Sequence, residues 1–183
     1  MRRAHLYWTR MWILRTLMLL ALVVWVGGII FFAFVVAPSL FHFITPEIAA
    51  DVVRRDLTWL HWMGIVCAVV FLISSLLFSR AKFARLKPFA LVNVLVLVML
   101  VLTLISQFGV MPKMDVLRTE IHLVRDNDAS LAKKPAAWPE IKQQMLPKLQ
   151  GDFDSLHRWS TRLEGGVLFL GLAAVVLTAR RFS

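Results

Sequence analysis

Four long apolar stretches constrain this chain more than any other feature of its sequence. They cover about residues 16–37, 60–79, 88–110 and 160–179. A helix needs about 20 consecutive, mostly apolar residues to cross the hydrocarbon core of a bilayer. Because a backbone in lipid must satisfy its own hydrogen bonds, such stretches fold as helices. The sequence therefore predicts an all-α integral membrane four-helix bundle.

The composition supports this prediction and excludes other classes of protein. Of 183 residues, 59% are apolar and 17% are charged, whereas soluble domains average about 45–50% and about 25%. A soluble enzyme domain, a disordered tail and a fibrous repeat are excluded. We predict a single membrane domain over residues 1–183 that is not an enzyme, because no serine or cysteine has an evident base at hand. The single cysteine, Cys67, excludes an intramolecular disulfide.

The distribution of basic residues predicts the orientation in the membrane. With four spans, both termini lie on one side, which then holds ten basic residues and no acidic residue: Arg2, Arg3, Arg10, Arg15, Arg80, Lys82, Arg85, Lys87, Arg180 and Arg181. Loops rich in Lys and Arg stay in the cytoplasm. We therefore expect the bacterial cytoplasmic (inner) membrane, with cytoplasmic N- and C-termini. The same bias and contacts with anionic lipid explain the high pI, so we expect no nucleic-acid partner. The first apolar stretch is too long for a signal peptide, and we expect it to be retained.

The residues between the spans predict short helices on the outer side. Thr45 can cap a helix that begins at Pro46, which we interpret as a short interfacial helix. The outer loop region, residues 111–151, predicts an amphipathic helix from Met114, a polar break at 126–130, and a helix from Pro139 that Pro147 stops. Asp152 is expected to cap the last long helix. We interpret these short amphipathic helices as a cap on the outer side, and residues 80–87 as a tight hairpin on the inner side.

Tryptophans and glycines suggest where the helices meet the interface and each other. Most tryptophans fall near span ends, where aromatic belts lie. Trp25 falls at mid-membrane beside Gly27 and Gly28, and small residues allow helices to approach closely. These three residues are therefore predicted to pack helices together.

A group of histidines and methionines on the outer side is the first candidate site. It contains His42, His61, His157, Met63, Met111 and Met114. Imidazole and thioether ligands together suit copper, in particular Cu(I), and bundle cores can host metals. The alternative is that these histidines lie at the interface and the methionines fill apolar gaps. A single haem held by His61 and His157 is a further alternative.

Glu164 is the most unusual residue, because it opens the apolar part of the last span. Ionisable groups at membrane depth are costly and mark functional sites. His157, Ser160 and Glu164 share one helix face, and Gln107 can join them from the third span. This polar stripe predicts a metal or ion site, with Ser160 and Gln107 orienting its ligands. The alternative is that Glu164 pairs with Arg158 or Arg162.

Three segments carry a resemblance to a known family. They are WVGGIIFFAFVVAPSLF (25–41), MPKMDVLR (111–118) and FDSLHRWSTRLEGG (153–166). The chain resembles the bacterial membrane family of unknown function related to eukaryotic transmembrane protein 205, over nearly its whole length. Glu164 stands where that family's pattern has Asn. The resemblance implies four membrane helices and no established activity. A looser similarity to copper-resistance D type proteins implies copper handling.

Three functions therefore remain open. The chain handles a metal ion (copper) or small solute, or it is a non-catalytic subunit or scaffold in a larger membrane complex, or it binds a single haem. Its partners are then the lipid bilayer and either a second copy or other membrane subunits.

Overall fold

Helices make up the described part of this chain. The computed structural model describes residues 2–83, 91–125 and 138–182. The α-helices are α1 (Arg2–Phe31), α2 (Ala37–Phe43), α3 (Pro46–Phe83), α4 (Leu91–Leu104), α5 (Met111–Arg125) and α6 (Trp138–Phe182). π-Helical segments lie at Phe32–Val36 and Ile105–Val110. Part of the predicted inner hairpin (84–87) and the predicted polar break (126–130) lie outside the described residues.

Four stretches of helix are long and apolar enough to cross a membrane. They are Trp8–Phe43, Ile48–Ala81, Leu91–Arg125 and Gln143–Arg180. The prediction of an all-α protein with four membrane-length helices is confirmed. The chain is a multi-pass membrane protein in a lipid bilayer environment.

The segments between the spans differ from the separate short helices that we predicted. A helix does begin at Pro46, but it continues without interruption into the second span as the 38-residue α3. At about 1.5 Å per residue, α3 is about 57 Å long, well beyond the roughly 30 Å hydrocarbon core. The predicted amphipathic helix at Met114 is likewise continuous with the third span, through the second π-helical segment. Once nucleated, a helix extends at little cost, so weak polar boundaries do not end it.

Two prolines that could end helices follow widened turns instead. Pro38 lies just after the π-helical segment Phe32–Val36, and Pro112 lies just after Ile105–Val110. Proline lacks an N–H and its ring clashes with the carbonyl four residues earlier. A π turn bonds to the fifth residue back, as Ala37 N–H does to the Phe32 carbonyl. The helix can therefore pass each proline, and the helix that contains the first predicted span continues to Phe43.

The prediction that Pro147 stops a helix is wrong. Pro147 lies inside the 45-residue α6, and Asp152 is an interior residue rather than a helix cap. An interior proline costs about 3 kcal/mol relative to alanine. It removes one backbone hydrogen bond, while the remaining bonds on both sides keep the two parts in one helix.

The described chain divides into two compact units. The first is Met1–Leu104 with Glu164–Ser183, and the second is Ile105–Leu163. One hydrophobic cluster fills the first unit and draws residues from α1, α3, α4 and α6, among them Met18, Phe71, Val96 and Val167. The four predicted spans thus supply one shared core.

A polar contact lies within this core. The Ser75 hydroxyl donates to the Asn93 side-chain carbonyl at 2.6 Å, and both residues are buried. This hydrogen bond joins α3 to α4 where each would otherwise bury an unpaired polar group.

Candidate functional site

A histidine and a glutamate meet inside the first unit. His61 Nε2 lies 2.7 Å from Glu164 Oε1. The His61 side chain is 2% exposed and that of Glu164 is 18% exposed. The two residues are 103 positions apart in the sequence, so packing of α3 against the last part of α6 creates the pair.

The buried face of α3 explains why His61 points inward. His61, Gly64, Ala68, Phe71 and Ser75 recur at intervals of three and four residues, and all are buried. This spacing places them on one side of a helix. His61 is the residue of this face nearest the start of the predicted second span.

Close approach of two helices fixes the position of this face. A Cβ added to Gly64 would lie 2.7 Å from Cε2 of Trp25, which is well below the roughly 3.5–4.0 Å that is optimal between two carbon atoms. Trp25 is itself 2% exposed. Its ring therefore occupies the space that Gly64 leaves, one turn from His61.

Glu164 pairs with His61 rather than with an arginine. The alternative partner Arg162 has its guanidinium carbon 5.6 Å from the centre of the Trp159 ring, and Arg158 is exposed. An isolated carboxylate at membrane depth is costly unless another group compensates it. The imidazole supplies this compensation from inside the bundle.

The chemistry of the pair suits a positive ion. One hydrogen must lie between an imidazole nitrogen and a carboxylate oxygen at 2.7 Å. If Glu164 is ionised, the His61 N–H donates to it, and with a neutral imidazole the pair carries one negative charge. Such a pair attracts a cation and can take up or release a proton.

The structure brings together only part of the predicted metal site. His42 is exposed, and its ring meets that of Phe43 edge-on with centroids 4.8 Å apart. Met63 is half-buried, and its methyl group would lie 2.6 Å from a Cβ on Gly28. Met63 thus fills space between α3 and α1.

The other residues of the predicted site belong to the second unit. Met111 and Ser160 are buried, Met114 and Gln107 are half-buried, and His157 is exposed. Ser160 is 5% exposed. His157 and Ser160 are three positions apart on α6, as the predicted stripe requires, but they differ in exposure.

Among the residues that the structure describes, no three or more His, Cys, Asp or Glu side chains group closely enough to hold a metal ion. The contact between His61 and Glu164 brings together two side chains of these types. The copper hypothesis, which also counted methionines, stays a prediction.

The predicted packing residues behave differently from one another. Trp25 is buried against Gly64, and Gly28 faces Met63 and Leu60. Gly27 is exposed, and a Cβ there would meet nothing within 4 Å. Gly27 therefore faces away from the other described helices, because each residue along a helix turns about 100°, and its packing role stays a prediction.

Sequence reasoning missed three residues of α3. Gly64 was missed, although a glycine three positions after His61 signals close packing. Arg54 and Arg55, which line a cavity beside α3, were also missed. Their signal was a basic pair one turn before Trp59.

Comparison with known proteins gives a family. The profile described as "Domain of unknown function (DUF4149)" matches residues 20–122. This range includes His61 and ends before Glu164. The searches of curated proteins and of solved structures gave no match. Since the profile covers more than half of the 183 residues, the chain belongs to the DUF4149 family of domains of unknown function.

Proposed function

We propose that this protein binds and handles a cation at the His61–Glu164 pair, within the cytoplasmic membrane of a bacterium. The observation that carries the proposal is the 2.7 Å contact between a histidine that is 2% exposed and a carboxylate in the membrane part of the chain. Buried ion pairs contribute little to stability compared with apolar residues of the same volume. Ionisable residues at membrane depth mark ion or proton pathways by default.

The chemistry of the pair favours a cation over an anion. A carboxylate and a neutral imidazole offer lone pairs and one negative charge. A proton is the smallest ion that this pair can carry without a further ligand. Cu(I) is the metal candidate, because it accepts imidazole ligands.

The orientation belongs to the same proposal. Ten basic residues and no acidic residue fall on the side of both termini if the chain crosses four times. By the positive-inside bias, that side is cytoplasmic. The pair then lies toward the outer side, where His61 opens its span and Glu164 opens the last one.

Two resemblances agree with this proposal. The chain resembles the membrane family related to transmembrane protein 205 and, more loosely, copper-resistance D type proteins. The second resemblance supports copper as the cation. Both stay predictions, and the test below does not depend on them.

The experiment measures cation binding and movement with the full chain. Purified protein is titrated with Cu(I), and protein in sealed vesicles containing a pH-sensitive dye is tested for proton uptake. The variants are Glu164→Gln and His61→Ala. Their matched controls are Glu120→Gln and His122→Ala, because Glu120 and His122 are exposed and neither belongs to the predicted site.

We expect one of the two cations to bind or move in the wild type and in both controls. We expect Glu164→Gln and His61→Ala to lose that activity while remaining folded in detergent, with a lower unfolding temperature than the wild type. Equal activity in all five proteins would overturn the proposal. So would a wild type that is inactive toward both cations. A Soret band would then favour haem, and stable co-purification with other membrane chains would favour a subunit or scaffold.

A further inference from the structure

An open cavity lies beside the first half of α3, apart from the His61–Glu164 pair. Its volume is about 460 Å³, and the described residues that line it are Arg54, Arg55, Thr58, Trp59 and Trp62. All five belong to the first unit. Neither His61 nor Glu164 is among them, so the cavity needs an explanation of its own.

The described lining of this cavity is basic. It contains two guanidinium groups and no carboxylate. Asp51 and Asp56 lie on the same helix but are not among these lining residues. Guanidinium groups form strong, often bidentate hydrogen bonds with phosphate and carboxylate. The cavity therefore suits an anion.

The aromatic part of the lining suits an amphiphile rather than a soluble anion. Trp59 is 70% exposed and Trp62 is 47% exposed, although both are large and mostly apolar. Tryptophan is enriched where hydrocarbon meets the headgroups. The Trp pair can therefore contact the first carbons of acyl chains while the arginines hold a headgroup.

The positions along α3 match the depth of a bilayer interface. The apolar span begins near Leu60, and Arg54 precedes it by six residues. At about 1.5 Å per residue, Arg54 lies about 9 Å further along the helix. The headgroup layer on each side of the hydrocarbon core is about 5–8 Å thick. Arg55, about 7.5 Å from Leu60, thus lies within the headgroup layer and Arg54 at its outer edge, while the tryptophans lie at its inner edge.

We propose that this cavity binds the headgroup of an anionic phospholipid. Arg54 and Arg55 bind the phosphate, and Trp59 and Trp62 contact the glycerol and the adjoining chains. The Thr58 hydroxyl donates to the Arg54 carbonyl at 3.0 Å, so the binding rests on the arginines and the tryptophans. This site is independent of the proposed cation site.

The test is native mass spectrometry of the full chain in detergent, titrated with phosphatidylglycerol or phosphatidylcholine. Inorganic phosphate is added in a third series as a competitor. The variant is Arg54→Gln with Arg55→Gln. Its charge-matched control is Arg10→Gln with Arg80→Gln. Both arginines are exposed, and they lie near the start of α1 and near the end of α3. Single Arg54→Gln and Arg55→Gln variants replace the double variant if it fails to fold.

We expect the first phosphatidylglycerol to bind in preference to phosphatidylcholine. The Arg54/Arg55 double variant should weaken this step roughly thirtyfold and each single variant roughly fivefold, from about 1 kcal/mol per basic residue. The control should bind as the wild type does. Equal weakening in the control would overturn the proposal, as would equal binding of the two lipids. Displacement by millimolar inorganic phosphate would also overturn it, since the cavity would then take a soluble anion.

Discussion

His61 Nε2 and Glu164 Oε1 lie 2.7 Å apart and join α3 to α6. His61 is fully inside the bundle, whereas Glu164 keeps part of its surface open. The pair therefore combines a buried base with a carboxylate that an ion can reach. This asymmetry is why we place the candidate function here.

The pair should show strong coupling between its two members. Glu164→Leu leaves the buried His61 imidazole without this acceptor and should lower the free energy of unfolding by about 1–3 kcal/mol. The double variant His61→Leu, Glu164→Leu removes both polar groups and should be less destabilised than the sum of the single variants. Thermal unfolding in detergent of the wild type, His61→Leu, Glu164→Leu and the double variant measures this double-mutant cycle. Additive effects would show that the two side chains do not depend on each other.

Gly64 should be sensitive to the addition of one methyl group. A Cβ there would lie 2.7 Å from Cε2 of the buried Trp25, so Gly64→Ala forces the indole or the helix to move. Overpacking of this kind costs about 1–3 kcal/mol. Gly27→Ala is the control, because a Cβ at Gly27 would meet nothing within 4 Å. Unfolding temperatures in one detergent compare the two variants, and a similar change in both would contradict this packing.

A second close approach joins α6 to α1 and can be tested by rescue. A Cβ on Gly171 would lie 2.6 Å from Cγ2 of Val26 and 3.0 Å from Cε of Met99. Gly171→Ala should therefore lower the unfolding temperature. Val26→Ala, itself destabilising, should restore part of the loss when the two changes are combined. Failure of rescue would mean that Val26 is not the obstacle.

Removal of two buried hydroxyl groups should have different effects on the free energy of unfolding. Ser75 donates to Asn93 at 2.6 Å, so Ser75→Ala should lower the free energy of unfolding by about 0.6–1.7 kcal/mol. The Thr178 hydroxyl is buried without a hydrogen-bond partner among the described residues. Thr178→Val keeps the shape and removes this group, so it should leave stability unchanged or raise it by up to about 1 kcal/mol.

These two variants are compared by thermal unfolding in detergent. Destabilisation of similar size in both would indicate that Thr178 has a polar partner. An unchanged Ser75→Ala protein would indicate that another donor satisfies Asn93.

The helical elements could largely be predicted because their causes are local. Mean hydropathy over about 20 residues identifies the spans, and Pro46 marks the start of α3 as expected. The predicted helix ends failed where a proline, which usually ends a helix, lies inside a longer continuous helix. Pro147 lies inside α6, and the π-helical turns that precede Pro38 and Pro112 have no recognisable signal in the sequence.

The sequence by itself determined that this chain crosses a membrane as four helices, because backbone hydrogen bonding in lipid allows no other use of such apolar stretches. It also identified Glu164 as an ionisable residue in an otherwise apolar span. Only the tertiary structure decided that its partner is His61 rather than Arg158 or Arg162. The physical reason is that the rotation of each helix about its axis depends on packing against its neighbours. In this chain, that packing includes Trp25 against Gly64 and Val26 against Gly171.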